Sequence, residues 1–164
     1  GLWDGEVNVN GKFEVKEEEE EEQEEYASIE DYSQLSINWA ILGDWTAKNP
    51  IQQGEQFETG AQVFIEGLTD LGTGTANKHV TCEIGYSTTN SDPSGTDWTW
   101  QSCHWNGQWG NNHYYQGKTP EISTAGTYYY TFRFRIDEGT YAYAGTDGLW
   151  NGTSSTYKTF QVTM

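Results

Sequence analysis

The residues best suited to contact a ligand form an aromatic cluster between positions 98 and 115. Six rings fall within eighteen residues, and side-chain amides of Gln and Asn are interleaved with them. Sugar rings present apolar C–H faces that stack on aromatic rings, and their hydroxyls hydrogen-bond to amides, so such a segment can bind a glycan. The rings are those of Trp98, Trp100, Trp105, Trp109, Tyr114 and Tyr115.

Two other interpretations of this cluster stay open. Aromatic rings also build hydrophobic cores, and they are enriched where two proteins meet. If Cys82 faces the core, strand alternation makes Cys103 and Trp105 face inward as well. Trp98 and Trp100 then face outward or toward a partner, unless a bulge reverses the pattern.

Two cysteines, Cys82 and Cys103, are the only ones in the chain. Each falls in a predicted strand, and a hairpin of the two strands would place the sulfurs opposite one another. In an extracellular chain this predicts a disulfide; the alternative is two buried free thiols. Two cysteines without a set of nearby histidines do not predict a zinc site.

The sequence predicts no enzyme and no cofactor. Its histidines are scattered, and no Gly-x-Ser-x-Gly nucleophile motif is present. Calcium is the one candidate ion, since carboxylates in loops can ligate it weakly. The histidines are His79, His104 and His113, and the calcium candidates are Asp70, Asp92 and Asp97.

The acidic charge is concentrated near the N-terminus. Residues 14–31 contain 11 acids and one lysine, so they carry −10 of the formal net charge of −17. Such a charge argues against nucleic acid and against an anionic membrane surface as partners, and no apolar run is long enough for a transmembrane helix. Residues 17–31 are predicted to be a solvated linker; the alternative is a segment held by cations or by a neighbour's basic residues.

Short strands separated by turn signals follow the acidic segment. Predicted strands cover residues 35–42, 60–66, 79–87, 97–106, 113–116, 126–137, 141–144 and 157–163. In the clearest one, alternation places Tyr128, Tyr130, Phe132, Phe134 and Ile136 on a buried face. The pattern predicts an all-β, antiparallel sandwich of immunoglobulin or fibronectin type over residues 32–164.

The two ends of the chain repeat each other at a constant offset of 147 residues. Gly-Leu-Trp-Asp-Gly at residues 1–5 matches Gly-Leu-Trp-Asn-Gly at 148–152, and a Phe and a Val recur in the same register. Residues 1–16 are therefore predicted to be an additional terminal strand, which belongs to a preceding module, docks on another copy, or folds back on its own sandwich. Its apolar residues are Leu2, Trp3, Val7, Val9, Phe13 and Val15.

Residues 35–164 resemble a module repeated in secreted and surface proteins of Bacteroidota. The resemblance implies a β-sandwich found beside varied catalytic or adhesive domains. The chain departs from the pattern at His113 and Tyr114, where similar modules tend to carry an Asp and a Glu, so no cation site is expected there. The matching stretches include Leu35-Ser36-Ile37-Asn38-Trp39-Ala40, Ile84-Gly85-Tyr86-Ser87, Gly126-Thr127-Tyr128-Tyr129-Tyr130 and Trp150-Asn151-Gly152-Thr153.

These observations predict a non-catalytic module of the cell surface or extracellular space. Its expected partners are further copies of itself or adjacent repeats, joined end to end through the strand at residues 1–15. The alternative is a carbohydrate-binding module that uses the Trp and Tyr rings, with polysaccharide as its partner.

Overall fold

The computed structural model describes residues 29–43, 47–153 and 157–164. The predicted strand at 1–16 and residues 17–28 of the predicted linker lie outside the described residues. Ten strands are described: β1 (Trp39–Leu42), β2 (Ile51–Gln52), β3 (Glu58–Phe64), β4 (Val80–Ser87), β5 (Thr99–Ser102), β6 (His104–Trp109), β7 (Asn112–Lys118), β8 (Gly126–Ile136), β9 (Ala142–Tyr143) and β10 (Lys158–Thr163). Two single-turn 3₁₀ helices cover Tyr32–Gln34 and Thr69–Leu71.

The strands form two sheets that pack face to face. The four-stranded sheet has the order β1-β3-β7-β6, and the six-stranded sheet has the order β2-β10-β8-β4-β5, with β9 also paired to β8. All pairs are antiparallel except the short one between β2 and β10. The prediction of an all-β antiparallel sandwich is confirmed.

Strand β8 supplies the largest part of the core between the sheets. The predicted alternation holds for Tyr128, Tyr130, Phe132 and Phe134, which are buried, with Arg133 on the opposite face. It is wrong in detail at Ile136, which is only partly buried, and Thr131 on the opposite face is buried as well. Phe160 of β10 continues this apolar layer and stacks on Phe57, with the ring centroids 4.0 Å apart. Each such side chain contributes about 1.5–3 kcal/mol by leaving water.

One predicted strand is wrong. Residues 97–106 do not form a single strand, because β5 and β6 belong to different sheets and the chain changes sheet at Cys103. Two further differences are smaller: the strand predicted at 35–42 begins only at Trp39, and β2 was not predicted. A two-residue strand has too few positions for a period of two to be visible.

His113 on β7 is a titratable residue that lies in the core. It is fully buried, and neither ring nitrogen has a hydrogen-bond partner among the described residues. Trp105 meets the imidazole edge-on, with the centroids 6.0 Å apart. Burial lowers the pKa of His113 to about 4, so the imidazole is neutral at neutral pH.

We expect His113 to make the stability depend on pH. Because its pKa is lower in the folded chain than in the unfolded one, acidification favours the unfolded state, which binds the proton first. Stability is complete above about pH 6.5 and falls by about 2 kcal/mol between pH 7 and pH 5. Urea unfolding of the parent and of His113→Phe over this range measures the effect; equal pH slopes in both proteins would refute it.

Candidate functional site

The six rings of the predicted ligand-contact cluster do not form one surface. Trp105 and Tyr115 point into the core between the sheets. Trp98 and Trp100 lie on the outer face of the six-stranded sheet, while Trp109 and Tyr114 lie on the outer face of the four-stranded sheet. The change of sheet at Cys103 separates the first pair from the rest, and strand alternation then divides the residues of β6 and β7 between inside and outside.

The outer face of the four-stranded sheet carries rings and amides side by side. Its members alternate with core residues such as Ala40, Val63 and His113, which are buried on the other side of the same strands. We call this surface the aromatic–amide face. It consists of Trp39, Gln62, Phe64, Trp109, Asn112, Tyr114 and Gln116.

A glycine allows Tyr114 to lie flat on this face. A Cβ at Gly60, on the neighbouring strand β3, would overlap the Tyr114 ring. The ring is therefore 5% exposed, although it lies on the outside of the sandwich. Trp109 stacks on Tyr114 with centroids 5.4 Å apart and planes at 23°, and it remains 50% exposed.

Amides beside these rings are fixed by one another. Asn112 Nδ2 donates to Gln62 Oε1 at 2.9 Å, and Asn106 Nδ2 donates to Gln116 Oε1 at 2.9 Å. Gln116 Nε2 in turn donates to the Glu58 carboxylate. The bond between Asn112 and Gln62 uses the amide nitrogen of one and the amide oxygen of the other, so it leaves the Gln62 Nε2 donor and the Asn112 Oδ1 acceptor out of this contact.

Sequence reasoning missed Trp39, Gln62 and Phe64 as members of this face. Trp39 and Phe64 are cross-strand partners on β1 and β3 and line a depression of about 320 Å³ together with Asn111 and Asn112. Residues 39–42 are all apolar, so no polar alternation indicates which side faces outward. The burial of Ala40 and Leu42 decides it in the folded chain.

On the outer face of the six-stranded sheet, the side chains contact one another and cover the Trp100 ring. The Arg133 guanidinium lies between two rings, 4.1 Å from the centroid of Trp100 and 3.9 Å from that of Tyr141. Its Nε donates to Glu83 at 2.6 Å. Burial raises the pKa of Glu83, but hydrogen bonds from Arg133 and Tyr141 outweigh this and hold the pKa below its usual value.

The C-terminal copy of the repeat is part of the folded sandwich. Phe160 and Val162 are 0% and 3% exposed and belong to the core. Trp150 stacks on Tyr157, which meets Trp98 edge-on, outside the six-stranded sheet. Of the apolar residues that the two copies share, the second copy therefore buries or packs all except Leu149, which is exposed.

Cys82 lies on β4, and Cys103 lies beside it at the change of sheet, between β5 and β6. The Cys103 N–H donates to the Cys82 carbonyl at 2.9 Å, and both side chains are free thiols in the structure. Burial raises the pKa of the Cys82 thiol, and the neighbouring Cys103 thiol adds to the effect. Because β4 and β5 pair Glu83 with Ser102, Cys82 and Cys103 are the next residues along the two segments, and the disulfide between them stays a prediction.

The calcium candidates lie in two segments of the chain, Asp70 in the second 3₁₀ helix and the other two in the loop between β4 and β5. Asp70 Oδ1 accepts from the Gly67 N–H, and Asp92 Oδ1 accepts from the Ser94 N–H and hydroxyl. Asp97 lies in the same loop as Asp92 and is exposed. Over residues 29–43, 47–153 and 157–164, no group of three or more His, Cys, Asp or Glu side chains is placed to hold a metal ion.

The three histidines lie in three separate environments. His79 Nδ1 is 2.6 Å from the Asp137 carboxylate and stacks on Tyr32. His113 is in the core, and His104 is exposed at the edge of the aromatic–amide face, opposite Gln116.

No helix within the described part of the chain is long and apolar enough to cross a membrane.

Comparisons with known proteins give structural likenesses, among them a distant one to a sugar-bound protein. No family model matches the chain, and no curated protein matches it. A solved structure of an uncharacterised protein from Listeria monocytogenes EGD-e, in complex with α-D-glucose, β-D-glucose, magnesium and calcium, is similar with 14% identity and a TM-score of 0.41. The likeness covers 69% of this chain and 8% of that one.

We expect Cys82 and Cys103 to form a disulfide in protein prepared under oxidising conditions. The bond would stabilise the fold by about 3 kcal/mol by closing a loop of the unfolded chain. Intact-mass analysis after alkylation without reductant should show the loss of two hydrogens and no alkylated thiol. Reductant should lower the stability of the parent and leave Cys103→Ser unchanged; alkylation of both thiols in the unreduced parent would contradict the bond.

Proposed function

We propose that the domain is a non-catalytic, extracellular carbohydrate-binding module and that the aromatic–amide face is its binding surface. The observation that carries the proposal is the half-exposed Trp109 ring stacked on Tyr114 beside a row of ordered amides. The secreted, surface-associated setting comes from the composition and from the family resemblance. Polysaccharide is the partner that this chemistry fits.

The face offers both kinds of contact that a sugar needs. A ring that is held flat and half exposed loses little conformational freedom when an apolar sugar face stacks on it. Amides that are already fixed in place donate to and accept from hydroxyls at a low entropic cost for the same reason. The proposal therefore rests on preorganisation as well as on residue types.

A binding role suits the polar groups of this face better than a catalytic one. Amides donate and accept hydrogen bonds but do not transfer protons at neutral pH, and glycoside hydrolysis needs a pair of carboxyl groups. The Glu58 carboxylate beside the face accepts a hydrogen bond from Gln116. We accordingly propose that the domain holds its ligand without turning it over.

Replacing Trp109 by Ala should weaken polysaccharide retention about tenfold or more, because the exposed half of the stack is lost. Affinity electrophoresis against a panel of neutral polysaccharides measures the loss. Trp109→Phe should retain part of the binding. Tyr129→Ala, a half-buried ring on the outer face of the other sheet, is the matched control and should bind like the parent. A parent that no polysaccharide retards would refute the proposed function.

A second function, end-to-end joining of modules, has its own supporting observation. The repeat shares Phe13 and Val15 with Phe160 and Val162, and the latter two fill the core from β10. A segment with the same residues in the same register is chemically suited to a β10-like position in another copy or in an adjacent module. Residues 1–15 lie outside the described residues, so this proposal rests on the repeat and on the packing of its second copy.

Deleting residues 1–16 should abolish self-association if these residues join copies. Light scattering across a concentration series should show assemblies of the parent and monomers of the deletion variant. Phe13→Asp should give the same result as the deletion, because a carboxylate is too costly to bury at a core position. Concentration-independent monomers of the parent would rule out joining by separate chains.

A further inference from the structure

The register of the four-stranded sheet arranges the aromatic–amide face in rows that cross the strands. Trp39 is the cross-strand partner of Phe64, and Asn112 is the partner of Trp109. Val63 is the partner of His113, so the next outward residues, Phe64 and Asn112, are neighbours. One row therefore runs from β1 to β6 with rings at both ends. Its order is Trp39, Phe64, Asn112 and Trp109.

The length of this row exceeds a single sugar. Three inter-strand spacings separate β1 from β6, which amounts to about 14 Å. One sugar ring on Trp109 cannot also reach Trp39, whereas an oligosaccharide laid across the strands can contact both. The depression beside Asn112 continues the path toward β1, because Trp39 and Phe64 line it.

The shape and charge of the face restrict the chemistry of that oligosaccharide. In the adjacent row, which consists of Ile41, Gln62, Tyr114 and Gly107, Tyr114 lies flat over Gly60 beneath the stacked Trp109 ring, and Gly107 has no side chain. None of the eight residues in the two rows carries a formal charge at pH 7. A shallow, neutral strip fits an extended, uncharged chain and offers no pairing for sulfate or uronate groups.

Building on the proposed function, we infer that the ligand is a neutral, equatorially linked polysaccharide, such as a β-1,4-glucan, that lies across the strands from Trp39 to Trp109. In a β-1,4-glucan, the linkage joins equatorial positions on opposite sides of each ring and keeps the chain extended. Because the ring hydroxyls of glucose are equatorial as well, both faces of each sugar present C–H groups for stacking. Axially linked glucans curl, so they present a convex surface to a shallow strip. The Trp109 and Tyr114 stack is the primary contact, and the Trp39 and Phe64 pair adds affinity only for chains long enough to reach it.

The test is a length series of cello-oligosaccharides, measured by calorimetry beside malto-oligosaccharides of the same lengths. Affinity for the cello series should rise about tenfold from the disaccharide to a chain that spans the row and then level off. Trp39→Ala should remove this gain, and Trp109→Ala should weaken every length. Phe64→Leu, which keeps an apolar side chain of similar size, should reduce the gain if Trp39→Ala fails to fold.

The outcomes separate this inference from the function on which it rests. Tighter binding of the malto series, affinity independent of length, or an unaltered gain in both Trp39→Ala and Phe64→Leu would overturn the inference and leave carbohydrate binding intact. Failure of the parent to bind any oligosaccharide or polysaccharide would overturn both. A dominant preference for charged polysaccharides would refute the inference that the ligand is neutral.

Discussion

Burial of the inward-facing rings of β8 is the interaction on which the rest of the structure depends. This strand pairs with β4, β9 and β10, so it fixes the register of the six-stranded sheet. The same strand turns Tyr128, Tyr130, Phe132 and Phe134 toward the four-stranded sheet, which needs that apolar layer to cover its own inner face. Because successive side chains alternate between the two faces, a slip of β8 by one residue would bury Arg133 and expose the rings. The burial of these rings therefore also fixes which residues lie on the outer face.

On each outer face of the sandwich, an aromatic ring lies flat against a glycine, but the two faces differ in how much aromatic surface stays exposed. A glycine on a neighbouring strand, Gly60 on one face and Gly85 on the other, lets a ring lie flat against the sheet. On the six-stranded sheet, the Arg133 guanidinium lies between the Trp100 and Tyr141 rings. Contacts within the chain therefore cover the outer side of Trp100. On the four-stranded sheet, Trp109 leaves half of its surface in water. The second face is for this reason the better candidate for contact with another molecule.

The repeat and the aromatic–amide face point to functions that are compatible in one protein. The repeat concerns β10, which lies in the six-stranded sheet, whereas the proposed glycan strip lies on the opposite sheet. Modules that bind a polymer and are joined in series gain avidity without new contacts, provided that their spacing lets both engage the ligand. The acidic linker that the sequence predicts over residues 17–31 is of the charged, self-repelling kind that holds neighbouring modules apart.

The sequence alone determined the fold class, because alternation over 126–137 and turn signals at short intervals follow from local chemistry. It also identified the repeat, whose Phe and Val could be recognised without a structure. It did not determine which rings share a surface. That depended on the change of sheet at Cys103, which places Trp100 and Trp109 on opposite sides of the sandwich, and on the pairing of β1 with β3, which brings Trp39 beside Phe64. Local sequence encodes which residues alternate, but only long-range strand pairing decides which alternating rows become neighbours.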